Sequence, residues 1–258
     1  MEKVGIVFDK RKPESERLGI GIKQWLKTKG YKVFLKLTDR VLEKGLTFVI
    51  TLGGDGLVLH TADKVAEFQI PLFRVNFGQR GYLCDVRPNE VFEKLNGDFE
   101  IEKRTRIQAR VFQGEEIVKE VSALNEIVIG GSNRMISIEM EVRDKEKSFR
   151  AKIKGDGVIF STQTGSTAYN INAGGPVLLT DMLSVVANNA LFESAFLLPN
   201  TKALVTSTKA VFKVKSLDPR RFHLPYLVAD GQRDYKLNDG DLVVIKESAL
   251  KTLFIKVR

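Results

Sequence analysis

The sequence predicts an α/β protein in two parts. Residues 1–98 read as a doubly wound α/β domain and residues 99–240 as a β-rich domain, with 241–258 leading back to the first. Three observations carry this. Apolar strand-like runs alternate with helical stretches up to about residue 98. From Ile101 to about Phe160 the alternation is β-like, with no convincing long helix. Between these, Leu46 to Lys64 (LTFVITLGGDGLVLHTADK) sets a buried-looking strand, a glycine turn and a helix in direct succession.

Lys3 to Phe8 reads as the first strand. Pro13 opens a helix to about Lys29, because its fixed φ suits a first helical position, and Gly30 stops it. Tyr31 to Leu37 returns as a strand and Val41 to Lys44 as a short helix. The central strand follows, with Phe48, Val49, Ile50 and Leu52 apolar. It breaks at Gly53-Gly54-Asp55-Gly56. A helix then runs from about Leu57 to Phe68, with Leu59, Ala62 and Val65-Ala66 on one face. Leu72 to Val75 is the next strand, followed by a glycine-bearing loop from Asn76 to Gly81. Asn89 is expected to cap a helix through Asn96. The order is Rossmann-like. In the second domain Ile107-Ala109-Val111, Ile136-Ile138-Met140-Val142, Lys209 to Lys215, Tyr226 to Ala229 and Leu242 to Ile245 alternate as half-buried strands. The apolar run Leu178 to Phe196 reads as helical, Asn238-Asp239-Gly240 as a turn, and Val243 to Val257 as the return.

Composition narrows the function classes. The 258 residues hold ample core, and 43% hydrophobic with 28% charged residues describes an ordinary soluble globular chain. No apolar run approaches a membrane span and Met1 opens almost directly into a strand, so no membrane role and no signal peptide are expected. The only cysteine, Cys84, excludes an internal disulfide framework, suits a reducing cytoplasm and reads as a partly buried thiol. A net charge of +9 is spread among nearly as many acids, without a basic tail. That disfavours nucleic acid and suits an anionic small substrate.

The glycine turn falls where an open parallel sheet places its ligands, beyond the carboxyl end of a strand. The helix amides that follow attract phosphate. Among glycines that let a ligand approach the backbone stands one acid, Asp55. It either caps the helix or handles a proton, a hydroxyl or a metal-bound phosphate. Neither a Walker-type loop nor G-x-G-x-x-G follows a strand, and His60 and His223 are too far apart for usual metal spacing. His60 lies one helical turn after Gly56, on the face of the loop, where it either meets a ligand or is simply solvated.

A second stretch, Lys154 to Leu178 (KGDGVIFSTQTGSTAYNINAGGPVL), concentrates hydroxyls, glycines and amides. Tyr169 offers a flat face for a base or sugar, and Asn170 and Asn172 can donate and accept at once. A ligand loop explains this density better than a polar turn does. Asn125-Glu126 is a third piece, two adjacent polar residues inside the apolar run Val121 to Ile129. In a regular strand one of them would enter the core, so a strand end or bulge that lets both reach a ligand is expected.

These three pieces, in this order and spacing, resemble the NAD kinase family. The match runs from Phe48 to about Val177 and includes the loop from Asn76 to Leu83. The glycine-aspartate turn is shared with diacylglycerol and sphingosine kinases and phosphofructokinases, while TGSTAYNINAGGP is far more specific. The resemblance implies phosphorylation of the 2′-hydroxyl of the adenosine ribose of NAD, giving NADP. The donor would be ATP, or inorganic polyphosphate in some members, with Mg2+ as the metal. By that likeness Asp55 is the catalytic acid/base, Gly53, Gly54 and Gly56 form the phosphate loop, and Gly56 also touches the dinucleotide. Asn125 and Glu126 hold its ribose and amide groups, and Asp156 takes the nicotinamide end. Thr167, Ala168, Tyr169, Asn170, Ile171 and Asn172 cradle adenosine and ribose. His60, Arg134, Lys154 and Gln232 match further contact positions. A homo-oligomer, dimer or tetramer, is implied as well.

The chain departs from the family pattern in two places. Leu57 stands where most relatives carry Thr or Asn, which bears on donor preference, and Leu191 to Val205 lacks the expected histidine-bearing Pro-His-Thr-Leu pattern. The competing readings are a lipid kinase with the same glycine-aspartate turn and a dinucleotide-sensing module without catalysis.

Overall fold

The computed structural model describes residues 1–78, 81–131, 135–191, 201–216, 225–238 and 240–257. In chain order the elements are β1 (Lys3–Phe8), α1 (Pro13–Thr28), β2 (Lys32–Phe34), α2 (Asp39–Leu42), β3 (Phe48–Gly53), α3 (Asp55–Ala66), β4 (Leu72–Asn76) and α4 (Val91–Leu95). There follow β5 (Phe99–Gln113), β6 (Glu116–Ala123), β7 (Glu126–Gly130), β8 (Ile136–Asp144), β9 (Lys147–Gly155) and β10 (Gly157–Ser161). A 3-10 turn (Thr164–Thr167) leads into α5 (Tyr169–Asn172). The chain ends with β11 (Met182–Asn188), β12 (Ala203–Ser207), β13 (Val211–Ser216), β14 (Tyr226–Ala229), β15 (Arg233–Lys236) and β16 (Leu242–Val257). The chain divides into two compact units, Met1–Arg104 with Leu250–Arg258, and Thr105–Ala249.

In the first unit β2, β1, β3 and β4 pair in parallel, and the end of β16 adds a further parallel strand where Phe254 pairs with Leu72. Strand β3 is buried along its whole length, as a central parallel strand covered on both faces must be. Helix α1 packs through Ser15, Gly19, Ile22 and Leu26, a spacing that keeps one face inward. The chain proceeds from β1 to β2 in one direction and from β3 to β4 in the other. The order therefore reverses between β1 and β3, which is where open α/β sheets bind ligands.

The second unit is antiparallel. One sheet runs β12-β11-β10-β7-β14-β15. Opposite it stand β8 and β9, with β13 pairing β8 and the first part of β16, and β5 pairing β6. Alternate residues from both layers, among them Ile138, Met140, Val158, Phe160, Phe212 and Val243, share one core, and the Phe160 and Phe212 rings meet at 5.3 Å. Each such buried side chain contributes roughly 1.5–3 kcal/mol. Together they make a rigid base for the loops at the strand ends.

Several expected elements differ. The apolar run expected to be a helix holds β11 instead. Its Leu183 to Ala187 is a short, fully buried run in the middle of the sheet, too short to need helical pitch, and residues 192–196 lie outside the described residues. Helix α3 begins at Asp55 rather than Leu57, with Gly54 as its N-cap. Helix α4 is only Val91–Leu95, and Asn89 does not cap it. Strand β2 keeps three of the seven expected residues. No helix among the described residues is long and apolar enough to cross a membrane.

Candidate active site

In the first unit the turn after β3 presents Asp55 in the opening turn of α3. Gly54, not Asp55, holds the N-cap position of this helix. The Asp55 carboxylate receives two backbone amides from a distant loop, Tyr82 N–H on Oδ2 at 3.0 Å and Leu83 N–H on Oδ1 at 3.2 Å. The Cys84 thiol also bonds to this carboxylate, which, with roughly four lone-pair sites on its two oxygens, still keeps acceptor capacity. The loop is fixed from the sheet side by Arg74, an almost fully buried cation in the middle of β4. Its guanidinium stacks on Phe254 at 3.9 Å, donates to the Leu83 carbonyl at 2.8 Å and pairs with Asp85. Asn76 helps by accepting the Gly78 amide at 2.7 Å. Among the described residues, a Cβ at Gly54 or Gly56 would meet no atom within 4 Å, so these bare backbones are not required by packing. They leave open surface at a helix N-terminus. Beneath the turn, Cys84 is buried with Sγ at 3.8 Å from the Gly53 carbonyl, and its thiol is pushed up to about 12 by burial and by Asp55.

A cavity of about 690 Å³ in the same unit is lined by Val7, Phe8, Lys10, Glu16, Leu35 to Thr38 and, from α3, His60, Thr61 and Lys64. Apolar side chains from the β1 and β2 ends form one part of its wall, while Lys10, Lys36 and Lys64 bring positive charge. Sequence reading missed this cavity, because its residues come from three separated segments, none carrying a motif. His60 lies here, exposed, on the lining.

In the second unit Asn125 and Glu126 sit at the bend that opens β7, each under a tenth exposed. Two side chains that could not share a face within a strand are both admitted because the strand starts here. Among the described residues Asn125 Oδ1 and Glu126 Oε2 are buried without a hydrogen-bond partner. Such acceptors are costly unless something supplies donors. Burial, aided by the nearby Asp230 carboxylate, raises Glu126 from 4.5 to about 7, against a lowering by the Tyr169 backbone amide. The bend is braced by Thr162, whose amide donates to the Asn125 carbonyl at 2.9 Å and whose hydroxyl donates to Leu124 O at 2.6 Å. Gly165 presses on the same carbonyl so closely that a Cβ would lie 2.1 Å from it. That contact explains one of the glycines in the hydroxyl-rich stretch.

The remaining expected residues divide. Thr167 and Ala168 belong to the turn before α5. Tyr169 is exposed and its hydroxyl accepts from Asn188 Nδ2 at 2.9 Å. Asn170 is buried and donates to Ser166 O and Pro176 O, its Oδ1 having no partner among the described residues, while Ile171 and Asn172 are exposed. Gln232 is exposed in the β14–β15 turn. Asp156 receives Asn189 Nδ2 at 2.7 Å, and the neighbouring Lys154 is exposed. Glu126 pairs with Ser161 at one end of β10 and Gly130 with Gly157 at the other. Asp156, one residue beyond Gly157, therefore stands more than a strand length, about 17 Å at ~3.3 Å per residue, from Glu126. Within this unit the two do not converge. Arg134 lies outside the described residues. Asp230, which faces Glu126, gave no signal in the sequence, since Asp-Gly after a strand reads as an ordinary hairpin turn.

Comparison with known proteins agrees with both units. The family model of the ATP-NAD kinase C-terminal domain matches residues 124–257, and that of the N-terminal domain matches 34–102. The chain is 33% identical over 260 residues to the NAD kinase of Treponema denticola, covering 97% of this chain and 89% of that protein. It is 30% identical over 278 residues to that of Thermoanaerobacter sp., covering all of this chain and 95% of that protein. Among solved structures, its fold is similar to an NAD kinase from Archaeoglobus fulgidus in complex with ATP, with a TM-score of 0.73 and 24% identity over 98% of this chain and 93% of that one. It is also similar to yeast NADH kinase complexed with NADH, with a TM-score of 0.80 and 18% identity over 99% and 83%.

The class is thereby fixed: a kinase that moves a phosphoryl group onto a small-molecule alcohol, built from a parallel α/β unit and a β-rich unit. The chain belongs to the NAD kinase family, and its reaction is the phosphorylation of NAD to NADP.

Proposed function

We propose that Asp55 takes the proton of the adenosine 2′-hydroxyl as that oxygen attacks the terminal phosphorus of the donor. The P–O bond to the leaving phosphate breaks as the new P–O bond forms, and the nucleoside diphosphate or shortened polyphosphate departs. Phosphoryl transfer asks a protein for positioning and charge stabilisation more than for covalent chemistry. One observation carries the assignment: a carboxylate held by two distant backbone amides keeps its free acceptor sites at a glycine-lined helix start. A cap or a surface acid would need neither amide. Gly54 and Gly56 leave room for phosphate there, while Gly53, assigned to the phosphate loop by resemblance, is kept bare by the Leu57 side chain packed on it. The acceptors Asn125 Oδ1, Glu126 Oε2 and Asn170 Oδ1, unpartnered among the described residues, support a role in receiving donors from the dinucleotide, from sugar hydroxyls or amide groups. Thr167 to Asn172, Asp156, Lys154, His60, Arg134 and Gln232 complete the assignment by resemblance.

The cavity that His60, Thr61 and Lys64 of the same helix line supports ATP as donor, since its apolar wall suits a base and its lysines suit a phosphate chain. Polyphosphate could use the lysines alone. Among the described residues no three His, Cys, Asp or Glu groups cluster as a metal cage. The residues present fit Mg2+ that arrives on the donor phosphates, as Mg2+ with few protein ligands commonly does. When bound, the ion neutralises charge on the transferring group. A homo-oligomer and a cytoplasmic location complete the reading.

The test is NADP formation from NAD and Mg2+ with ATP or polyphosphate, detected with a strictly NADP-dependent dehydrogenase. Asp55→Asn is expected to lower kcat roughly 10²–10⁴-fold, the usual worth of a general base. Undiminished turnover in that variant would remove Asp55 from the mechanism.

A further inference from the structure

We infer that Asp230 is the positioning residue of the dinucleotide-holding bend, setting the direction in which Asn125 and Glu126 present their side chains. Its carboxylate accepts three consecutive backbone amides across more than a hundred residues of sequence, Leu124 at 2.8 Å, Asn125 at 2.7 Å and Glu126 at 3.2 Å. The Asp230 amide in turn donates to the Glu126 carbonyl at 3.0 Å, so the two segments grip each other through both backbone and side chain. Asp230 adopts φ 51°, a left-handed conformation uncommon for a residue with a side chain and several-fold enriched for Asp. Three convergent amides form a ready anion site, and here the chain's own carboxylate fills it. From the other side Thr162 and Gly165 close on the same peptide groups. The backbone of the bend is therefore fully engaged, while Asn125 Oδ1 and one oxygen of Glu126, Oε2, are buried with no partner among the described residues.

A carboxylate suits this task better than an amide. Carboxylate oxygens only accept, so all the N–H groups are served at once, whereas Asn would turn an NH2 toward a donor. Asp230 also faces Glu126, and the groups around the pair are the Arg106 guanidinium on β5, which lowers Asp230, and the backbone amide of Tyr169 on α5, which lowers Glu126. Burial raises both carboxyls. A carboxylate at Asp230 thus serves two ends: it aims Glu126 and makes Glu126 reluctant to ionise until donors from a ligand arrive.

This rests on the reading that Asn125 and Glu126 hold the dinucleotide, and the experiment separates the two. Kinetics of Asp230→Asn and Glu126→Gln are compared with wild type over pH 5.5 to 8.5, alongside thermal melts. Asp230→Asn is expected to raise KM for NAD roughly tenfold or more, with kcat within about threefold and KM for ATP unchanged. The acid limb of kcat/KM for NAD should move to lower pH, because Glu126 loses its like-charged neighbour. A residue needed only for folding would lower the melting temperature or the active fraction and leave KM and the acid limb in place, and that result overturns the inference. If Glu126→Gln alone leaves KM for NAD unchanged, the reading of the pair fails. If it raises KM while Asp230→Asn does not, the inference about Asp230 fails by itself. Should Asp230→Asn not fold, amide exchange in the wild-type protein decides. Protected Leu124, Asn125 and Glu126 amides at neutral pH support the grip, and rapid exchange at these three positions overturns it.

Discussion

The backbone amide of Tyr82 donates to Asp55 at 3.0 Å, with the Leu83 amide next to it at 3.2 Å, so main-chain donors aim the carboxylate, with the buried Cys84 thiol beside it. The Tyr82 ring is 70% exposed and takes no part in these bonds. Tyr82→Ala is accordingly expected to keep kcat within about twofold. Tyr82→Pro deletes the N–H, and a lost hydrogen bond to a charged group, about 1.5–3 kcal/mol, corresponds to a fall in kcat of roughly ten- to a hundredfold. Steady-state kinetics of the two variants provide the comparison. Equal activities would mean that this amide does not orient the acid.

Glu126 makes stability and affinity depend on pH in opposite senses. Its folded-state value is raised to about 7 from 4.5, so the folded protein binds this proton more tightly than the unfolded chain does. Its stabilising contribution is complete below about pH 4.5 and is lost as pH rises to 7, amounting to about 3 kcal/mol at ~1.4 kcal/mol per pH unit. Asp230, raised by burial, acts in the same direction. Glu126→Gln should therefore melt higher than wild type at pH 8 and flatten the pH dependence of the melting temperature. A carboxylate is the better acceptor for ligand hydroxyls, so KM for NAD should fall as pH rises through 7 in wild type only.

The lysines of the cavity should serve the donor and not the acceptor. Lys36→Ala combined with Lys64→Ala is expected to raise KM for ATP roughly tenfold, at about 0.5–1 kcal/mol for each exposed charge contact, with KM for NAD unchanged. If both constants stayed within error of wild type, the cavity would have no part in donor binding.

Gly165→Ala should damage the second unit specifically. The added Cβ would fall 2.1 Å from the Asn125 carbonyl oxygen, a clash with backbone that no rotamer relieves. Overpacking of this kind costs typically 1–3 kcal/mol, so a lower melting temperature is expected together with a raised KM for NAD. Alanine at Gly54, where nothing lies within 4 Å, is the control and should leave the melting temperature unchanged.

Much of this was readable from local pattern. Phe48 to Gly53 is apolar throughout and is a central strand, and the 15, 19, 22, 26 spacing of α1 follows Pro13 as a helix should. The adjacency of Asn125 and Glu126 pointed to a strand end, and β7 begins there. What stayed hidden depends on tertiary contact. Leu183 to Ala187 carries no turn residue or alternation to distinguish a buried strand from a helix, and only pairing with β10 and β12 decides it. The amides of Tyr82 and Leu83 have no side-chain signature at all. Asp230 and the cavity lysines gain their roles from residues far off in the chain.

Cys84, sealed under the glycine turn with its proton held to about pH 12, has a practical consequence. Thiol-directed dyes will find no background target on the folded protein, because reactivity follows the thiolate and access. Cysteines introduced at exposed positions such as Ile117 or Leu179 can then carry single fluorophores, one per variant, to report nucleotide-driven movement. The native sequence is in that sense already a labelling scaffold.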